Sequence, residues 1–263
     1  MAYLTFVSLR NMKKRYFIEL AYKGTAYHGW QKQPNALTVQ DEVERALSVI
    51  LKEQVETVGA GRTDTGVHAR FFTAHFDSDA YDPACKPRFL YGVNSILPPD
   101  IAIKDIFPVI EGAHARFSAL SRTYEYHIRK GKDPFETDYS WHYPQALDIV
   151  SMNKASGLLL QVEDFKSFSK YHTQTRTSIC KVFYASWAEG NDAIVFTIEA
   201  DRFLRNMVRA IVGTLIEVGT GKISREDFRR VILAGDRKAA AASAPAKALL
   251  LTKITYPDGL KIQ

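Results

Sequence analysis

Apolar and polar positions along the chain change period several times, and each change marks an element. Aromatic and aliphatic residues crowd positions 15–22 and predict a β-strand. Thr38 then precedes a helical pattern as N-cap, with Asp41 at the third helical position, a capping box carrying Asp where Glu or Gln is usual. Val39, Val43, Leu47, Ile50 and Leu51 recur at helical spacing behind it and form a core-facing stripe. Residues 70–76 read as a strand with Phe72, Ala74 and Phe76 on one face. A helix-like run at 87–91 leads to Pro98 and Pro99, which end any helix, and a strand follows at 101–107. Residues 108–112 mark the boundary between two halves, 13–112 and 113–263, with 1–12 as an arm ahead of the pattern.

The second half repeats the mixture. Residues 122–128 alternate, so that Tyr124, Tyr126 and Ile128 share one face of a strand. Residues 148–160 form an amphipathic helix. A further helix spans 203–215, with Phe203, Met207, Ala210, Ile211 and Thr214 on one face and Gly219 or Gly221 as its stop. Arg202, Arg205 and Arg209 fall at i, i+3 and i+7 and share another face. Ser224 and Asp227 cap a helix carrying Phe228, Val231 and Ile232 and stopped by Gly235, and a closing strand follows residues 244–251. Strands and helices in this order fit an α+β chain.

Composition narrows the classes. The 263 residues are 46% hydrophobic and 24% charged, which suits a globular protein with ample core. The net charge of +6 tilts towards a polyanionic partner. Cys85 and Cys180 lie far apart, which argues against a disulfide framework and for a reducing, cytoplasmic setting. No apolar run approaches a membrane span, and residues 4–9 are too short for a signal sequence.

Chemistry concentrates in Gly59-Ala60-Gly61-Arg62-Thr63-Asp64-Thr65-Gly66-Val67-His68-Ala69, a glycine-rich turn presenting Asp64 with Arg62 two positions before it. A dinucleotide fingerprint would need glycine where Asp64 stands, and no Gly-Lys-Ser/Thr follows for a Walker loop. His68 and His75 have no companion cysteine or acidic set for a metal. His68 is better read as a hydrogen-bonding residue that fixes the loop. Lys170, His172, Arg176 and Lys181 scatter positive charge over a loop, which is either solvated surface or a phosphate-contacting rim.

Residues 61–69 resemble, at nine consecutive positions, the Gly-Arg-Thr-Asp-(Ala/Thr)-Gly-Val-His-Ala motif of the anticodon-arm tRNA pseudouridine synthases. Tyr22-Lys23-Gly24-Thr25-Ala26-Tyr27-His28-Gly29-Trp30-Gln31 resembles a second signature of that family. Asp164-Phe165-Lys166-Ser167-Phe168 and Met207-Val208-Arg209-Ala210-Ile211-Val212-Gly213 resemble two more, in family order. Pro245-Ala246-Lys247-Ala248-Leu249 departs by one residue, with Ala248 where the family has glycine.

The resemblance implies a catalytic aspartate at Asp64, a paired arginine at Arg209, a base-stacking tyrosine at Tyr124, and Arg62 steadying or replacing a base turned out of its stack. Arg202, Arg205, Lys170 and Arg176 would form the RNA-binding rim. It implies two similar α/β halves whose antiparallel sheets join into one extended sheet with a cleft between them. It further implies a homodimer, a bound tRNA touching both subunits, and isomerisation of uridine to pseudouridine at tRNA positions 38–40. Such an isomerisation needs no metal or other cofactor. Other readings stay open: a non-catalytic RNA-binding protein, or a pseudouridine synthase acting on another RNA. A zinc deaminase would need His-x-Glu with Pro-Cys-x-x-Cys, and the chain has neither.

Overall fold

The aromatic run near the start of the chain forms β1 (Lys14–Tyr22), in a computed structural model that describes residues 13–82, 85–170 and 177–262. The arm at 1–12 lies outside the described residues. Tyr16, Phe17 and Ile18 are consecutive and all buried, so β1 is covered on both faces. It lies between two partners, antiparallel to β3 (His68–Ser78) on one side and β4 (Ile101–Pro108) on the other. The short β2 (Val58–Gly59) pairs with β3. Helices α1 (Val39–Leu51) and α2 (Lys86–Ile96) belong to this half.

Thr38 caps α1 as expected, its hydroxyl accepting from the Asp41 amide. The Asp41 carboxylate is drawn to Lys32 at 3.3 Å and to the Thr38 hydroxyl. The full reciprocal box forms instead at Ser224 and Asp227, ahead of α5 (Arg225–Leu233). In α2, the helix runs on to Ile96, past the stretch expected at 87–91.

The second half is built on β5 (Ser121–Arg129), with β6 (Trp141–His142) at its side, and on β7 (Val182–Glu189), β8 (Ala193–Ala200) and β9 (Leu249–Thr255). Antiparallel ladders run β9-β5-β8-β7. Helices α3 (Ile149–Ser156), α4 (Met207–Gly219) and α5 complete it. α3 gives way to a 3₁₀ turn at Gly157–Gln161, so the helix expected to residue 160 is α-helical only to Ser156.

One expectation fails in an informative way. The helix with Arg209 begins at Met207, because Asn206 adopts φ +67°, a left-handed conformation that Asn tolerates better than most residues. Asn206 Nδ2 donates to Ser243 Oγ at 2.6 Å. Phe203, Arg202 and Arg205 therefore belong to the preceding loop, and the three arginines share no helical face.

The nine strands of the described residues join in a single sheet, ordered β4-β1-β3-β9-β5-β8-β7 along its main path. The expected pair of antiparallel sheets is thus present, but the seam between them is parallel. There β3 meets β9 through His68 opposite Leu250 and Ala69 opposite Leu251. Each half has a hydrophobic cluster, and residues cross over: Leu251 and Ile254 enter the first, Val67 enters the second, and Tyr124 packs against both. Behind the seam, α4 lets the chain pass close at Gly213, where an added Cβ would stand 1.9 Å from the Ala242 carbonyl oxygen. That close pass delivers residues 244–248 to the seam.

Buried His75 on β3 ties the halves as well, its Nδ1 accepting from the Ala115 amide at 3.1 Å. Burial, with help from the nearby charges of Arg15 and His114 and against that of Asp77, lowers its pKa to about 4. Between pH 6.5 and 4 the unfolded chain binds a proton at this site that the folded chain refuses. Stability is therefore intact above about pH 6.5 and falls as pH drops towards 4, by about 3 kcal/mol from this residue. Urea unfolding at pH 7 and pH 4.5 should show that loss in the wild type and a smaller one in His75→Gln. Equal losses would assign the acid sensitivity elsewhere.

Candidate active site

The Asp64 loop precedes β3 at the seam, and backbone packing shapes it. Gly29, at φ +91°, presses on the Thr63 carbonyl, where a Cβ would come within 2.3 Å. Of the loop's own glycines, Gly66 takes φ +78° and Gly59 lies under the Trp30 ring. Gly61 has an ordinary φ and open space over it, so its value is room rather than backbone freedom.

Hydrogen bonds then hold the loop at both ends. Tyr22 Oη and Thr63 Oγ1 share a buried bond of 2.9 Å, and the Val67 amide donates to Asp64 O at 3.1 Å. His68 does what the sequence suggested. Its Nδ1 accepts from the Gly24 amide at 2.9 Å, and its Nε2 reaches the carbonyls of Asp138 and Lys247 at 2.8 and 2.9 Å. Those partners fix the neutral Nε2–H tautomer, and burial pushes the ring's pKa below its usual value.

Asp64 is partly exposed, at 21%, and faces two guanidinium groups from the other half. Arg209 Nη1 stands 3.6 Å from Asp64 Oδ2, and Arg205 Nε stands 3.9 Å from Asp64 Oδ1. Arg209 sits in the first turn of α4 and is aimed by a 2.7 Å bond from its Nε to the Ala244 carbonyl. The Ala244 amide in turn donates to Arg209 O at 3.0 Å. Residues 244–248 thus serve both partners, since Lys247 O receives His68 and Ala244 O receives Arg209. Ala248 lies buried in a regular 3₁₀ turn, Ala246–Ala248, without positive φ, so nothing local demands the family's glycine.

Tyr124 is close to the same carboxylate. It lies edge-on to Phe203, with ring centroids 5.1 Å apart. Burial first, and then the Asp64 charge, push its phenol well above the usual tyrosine range, so the hydroxyl keeps its proton. Tyr126, two residues on, is fully buried and donates to Pro245 O at 2.9 Å, a structural role.

The remaining expected residues divide. Arg205 is at Asp64 rather than on a distant rim, with its carbonyl accepting from the Lys170 amide at 3.2 Å. Arg62 makes no ion pair with Asp64; it is exposed and close to Arg116, whose pKa burial lowers first and the charges of Arg62 and half-buried Arg202 lower further. Lys170 is exposed, and Arg176 lies outside the described residues. Arg122 is a residue that the sequence reading left without a role. Its guanidinium donates to four carbonyls: Ala60 at 3.0 Å in the Asp64 loop, Asp201 at 2.7 Å ahead of the arginine loop, Ala119 at 3.0 Å, and Arg116. An arginine beginning an alternating strand carries no signal of that in sequence.

Comparison with known proteins gives consistent results. A family model described as tRNA pseudouridine synthase matches residues 159–257. The chain is 50% identical over 248 residues to "tRNA pseudouridine synthase A" of Parabacteroides distasonis, covering 94% of this chain and 98% of that protein. The protein of the same name from Bacteroides thetaiotaomicron is 50% identical, covering 94% and 92%. That from Bacillus licheniformis is 40% identical, covering 91% and 98%. Among the described residues, no helix is long and apolar enough to cross a membrane.

Arg122 offers a direct test of how the site is held. Arg122→Met strips the donor from four backbone carbonyls and should lower the unfolding free energy by about 2–4 kcal/mol in urea titration. Arg122→Lys should recover only part, since a point charge lacks the planar fork. Wild-type stability in Arg122→Met would show that water replaces the clamp.

Proposed function

The chain belongs to the tRNA pseudouridine synthase A family, and from that premise we propose that it isomerises uridine to pseudouridine at positions 38–40 of the tRNA anticodon stem-loop, with Asp64 as nucleophile. The reaction breaks the N1–C1′ bond, turns the uracil and joins C5 to C1′. The C5 hydrogen leaves as a proton and N1 gains one, so nothing is oxidised or reduced. A carboxylate is suited to the step, whether it adds to ribose C1′ or to C6 of the base.

The observation that best supports this reading is the carboxylate of Asp64 facing Arg205 and Arg209 at 3.9 and 3.6 Å, beside a protonated Tyr124. Two guanidinium groups from the second half face the carboxylate and would hold its orientation towards a substrate. Neither comes close enough for a short hydrogen bond, which leaves the oxygens available to a substrate. Tyr124 can stack on a flipped pyrimidine, and its hydroxyl can relay a proton. Arg62, exposed two residues before Asp64, would fill the gap left in the RNA stack. Lys170 and Arg202 would meet phosphates.

The same proposal covers the remaining organisation: halves at 13–112 and 113–263, a homodimer, and a cytoplasmic location where tRNA is the partner.

Pseudouridine formation expels the C5 hydrogen, so tRNA carrying 5-³H-uridine counts turnovers by release of tritium. Wild type should release it and Asp64→Ala should release none while still binding tRNA. Equal release by both proteins would remove Asp64 from the mechanism. No release by the wild type from any tRNA, with binding intact, would leave an RNA-binding protein.

A further inference from the structure

Phe117 is 75% exposed, yet the loop that carries it is tightly fixed. His114 Nδ1 accepts from the amides of Arg116 and Phe117 at 3.1 and 3.3 Å. The His114 amide donates to Ser118 Oγ and the Ser118 amide returns to His114 O, both at 2.9 Å. Tyr256 Oη donates to Ala115 O at 2.6 Å, and Arg122 holds Arg116 O. These bonds fix the backbone on both sides of Phe117 and so the direction in which its side chain leaves the loop. The ring stands in water, where its apolar surface is left without the gain that burial would bring.

Its surroundings define what it can receive. The Phe117 ring lies beside His114, with centroids 4.3 Å apart, and the Arg116 guanidinium is 5.5 Å from its centre. Arg116 is close enough to Arg62 and Arg202 to feel both charges. Among the described residues, none of these three arginines has a carboxylate partner within ion-pair distance. An exposed flat ring beside Arg116, with the cations of Arg62 and Arg202 near that arginine, matches a single-stranded nucleic acid, which alternates flat bases with anionic phosphates. An acidic peptide would satisfy the arginines but offers no regular stacking partner for the ring. Arg62 is two residues from Asp64, so the platform adjoins the reacting position.

We propose that Phe117 is a stacking platform for a nucleobase flanking the target uridine, with Arg116 and Arg202 engaging the adjoining phosphates. This rests on the reading of the chain as a tRNA-modifying enzyme and extends it to substrate positioning. The platform selects an RNA that presents an unstacked base next to its target, and it is indifferent to which base, because every base has a π-face.

The test is binding of an anticodon stem-loop RNA carrying 2-aminopurine beside the target uridine. Wild type should change the 2-aminopurine emission on binding, as stacking on a ring does. Phe117→Ala should abolish that change and weaken binding on the order of 10-fold. Phe117→Trp and Phe117→Tyr should restore the affinity, which a merely structural role for phenylalanine would not allow. Matching melting temperatures for wild type and Phe117→Ala would set unfolding aside. Wild-type affinity in Phe117→Ala, or a loss that Phe117→Trp leaves unrepaired, would overturn the platform. So would a change of oligomeric state in light scattering, which would assign the ring to a contact between copies. A wild type that binds with the emission change yet forms no pseudouridine would overturn the proposed reaction and leave the platform standing.

Discussion

Everything at this site depends on one carboxylate being met across a seam. Asp64 comes from a loop of the first half, while Arg205 and Arg209 come from the second. The sheet contributes only two residue pairs to that seam, His68 with Leu250 and Ala69 with Leu251. So short a parallel contact cannot set the distance between a carboxylate and a guanidinium by itself. Side chains complete the work: His68 binds three backbone groups around the loop, Arg122 binds carbonyls on both sides, and Tyr126 fixes Pro245. Val67 and Leu251 each insert into the other half's cluster, so the halves cannot slide without exposing apolar surface.

The ion pairs themselves are loose. At 3.6 and 3.9 Å, with Arg205 61% exposed, they contribute little to folding stability. Arg209 spends its best-oriented donor on Ala244 O instead. That division of labour fits a functional carboxylate. A tightly hydrogen-bonded, bidentate pair would stabilise Asp64 but occupy its lone pairs, whereas a nearby, separately anchored cation supplies charge and leaves the oxygens free.

Much of this was legible in the sequence, and the gaps have physical causes. β1, α1, α5 and β9 announce themselves through periodicity and capping residues, and the nine-residue match at 61–69 locates the loop. The start of α4 is not legible, because Arg202, Arg205 and Arg209 have helical spacing while the left-handed turn at Asn206 leaves only a weak mark in sequence. The resemblance puts Arg205 on the rim, whereas the structure has it 3.9 Å from Asp64. Arg122 and the parallel seam arise from tertiary contacts more than 60 residues apart in the chain, which no local pattern encodes.

The most direct test of the account is the single-turnover rate of Arg209→Lys on saturating tRNA. Lysine keeps the positive charge but cannot both bond Ala244 O and face Asp64 as the fork does. If the aimed guanidinium sets the reactivity of Asp64, the rate falls on the order of 100-fold while tRNA affinity changes little. A wild-type rate in Arg209→Lys would contradict the account, because it would mean that any nearby cation suffices and the geometry of the seam is incidental.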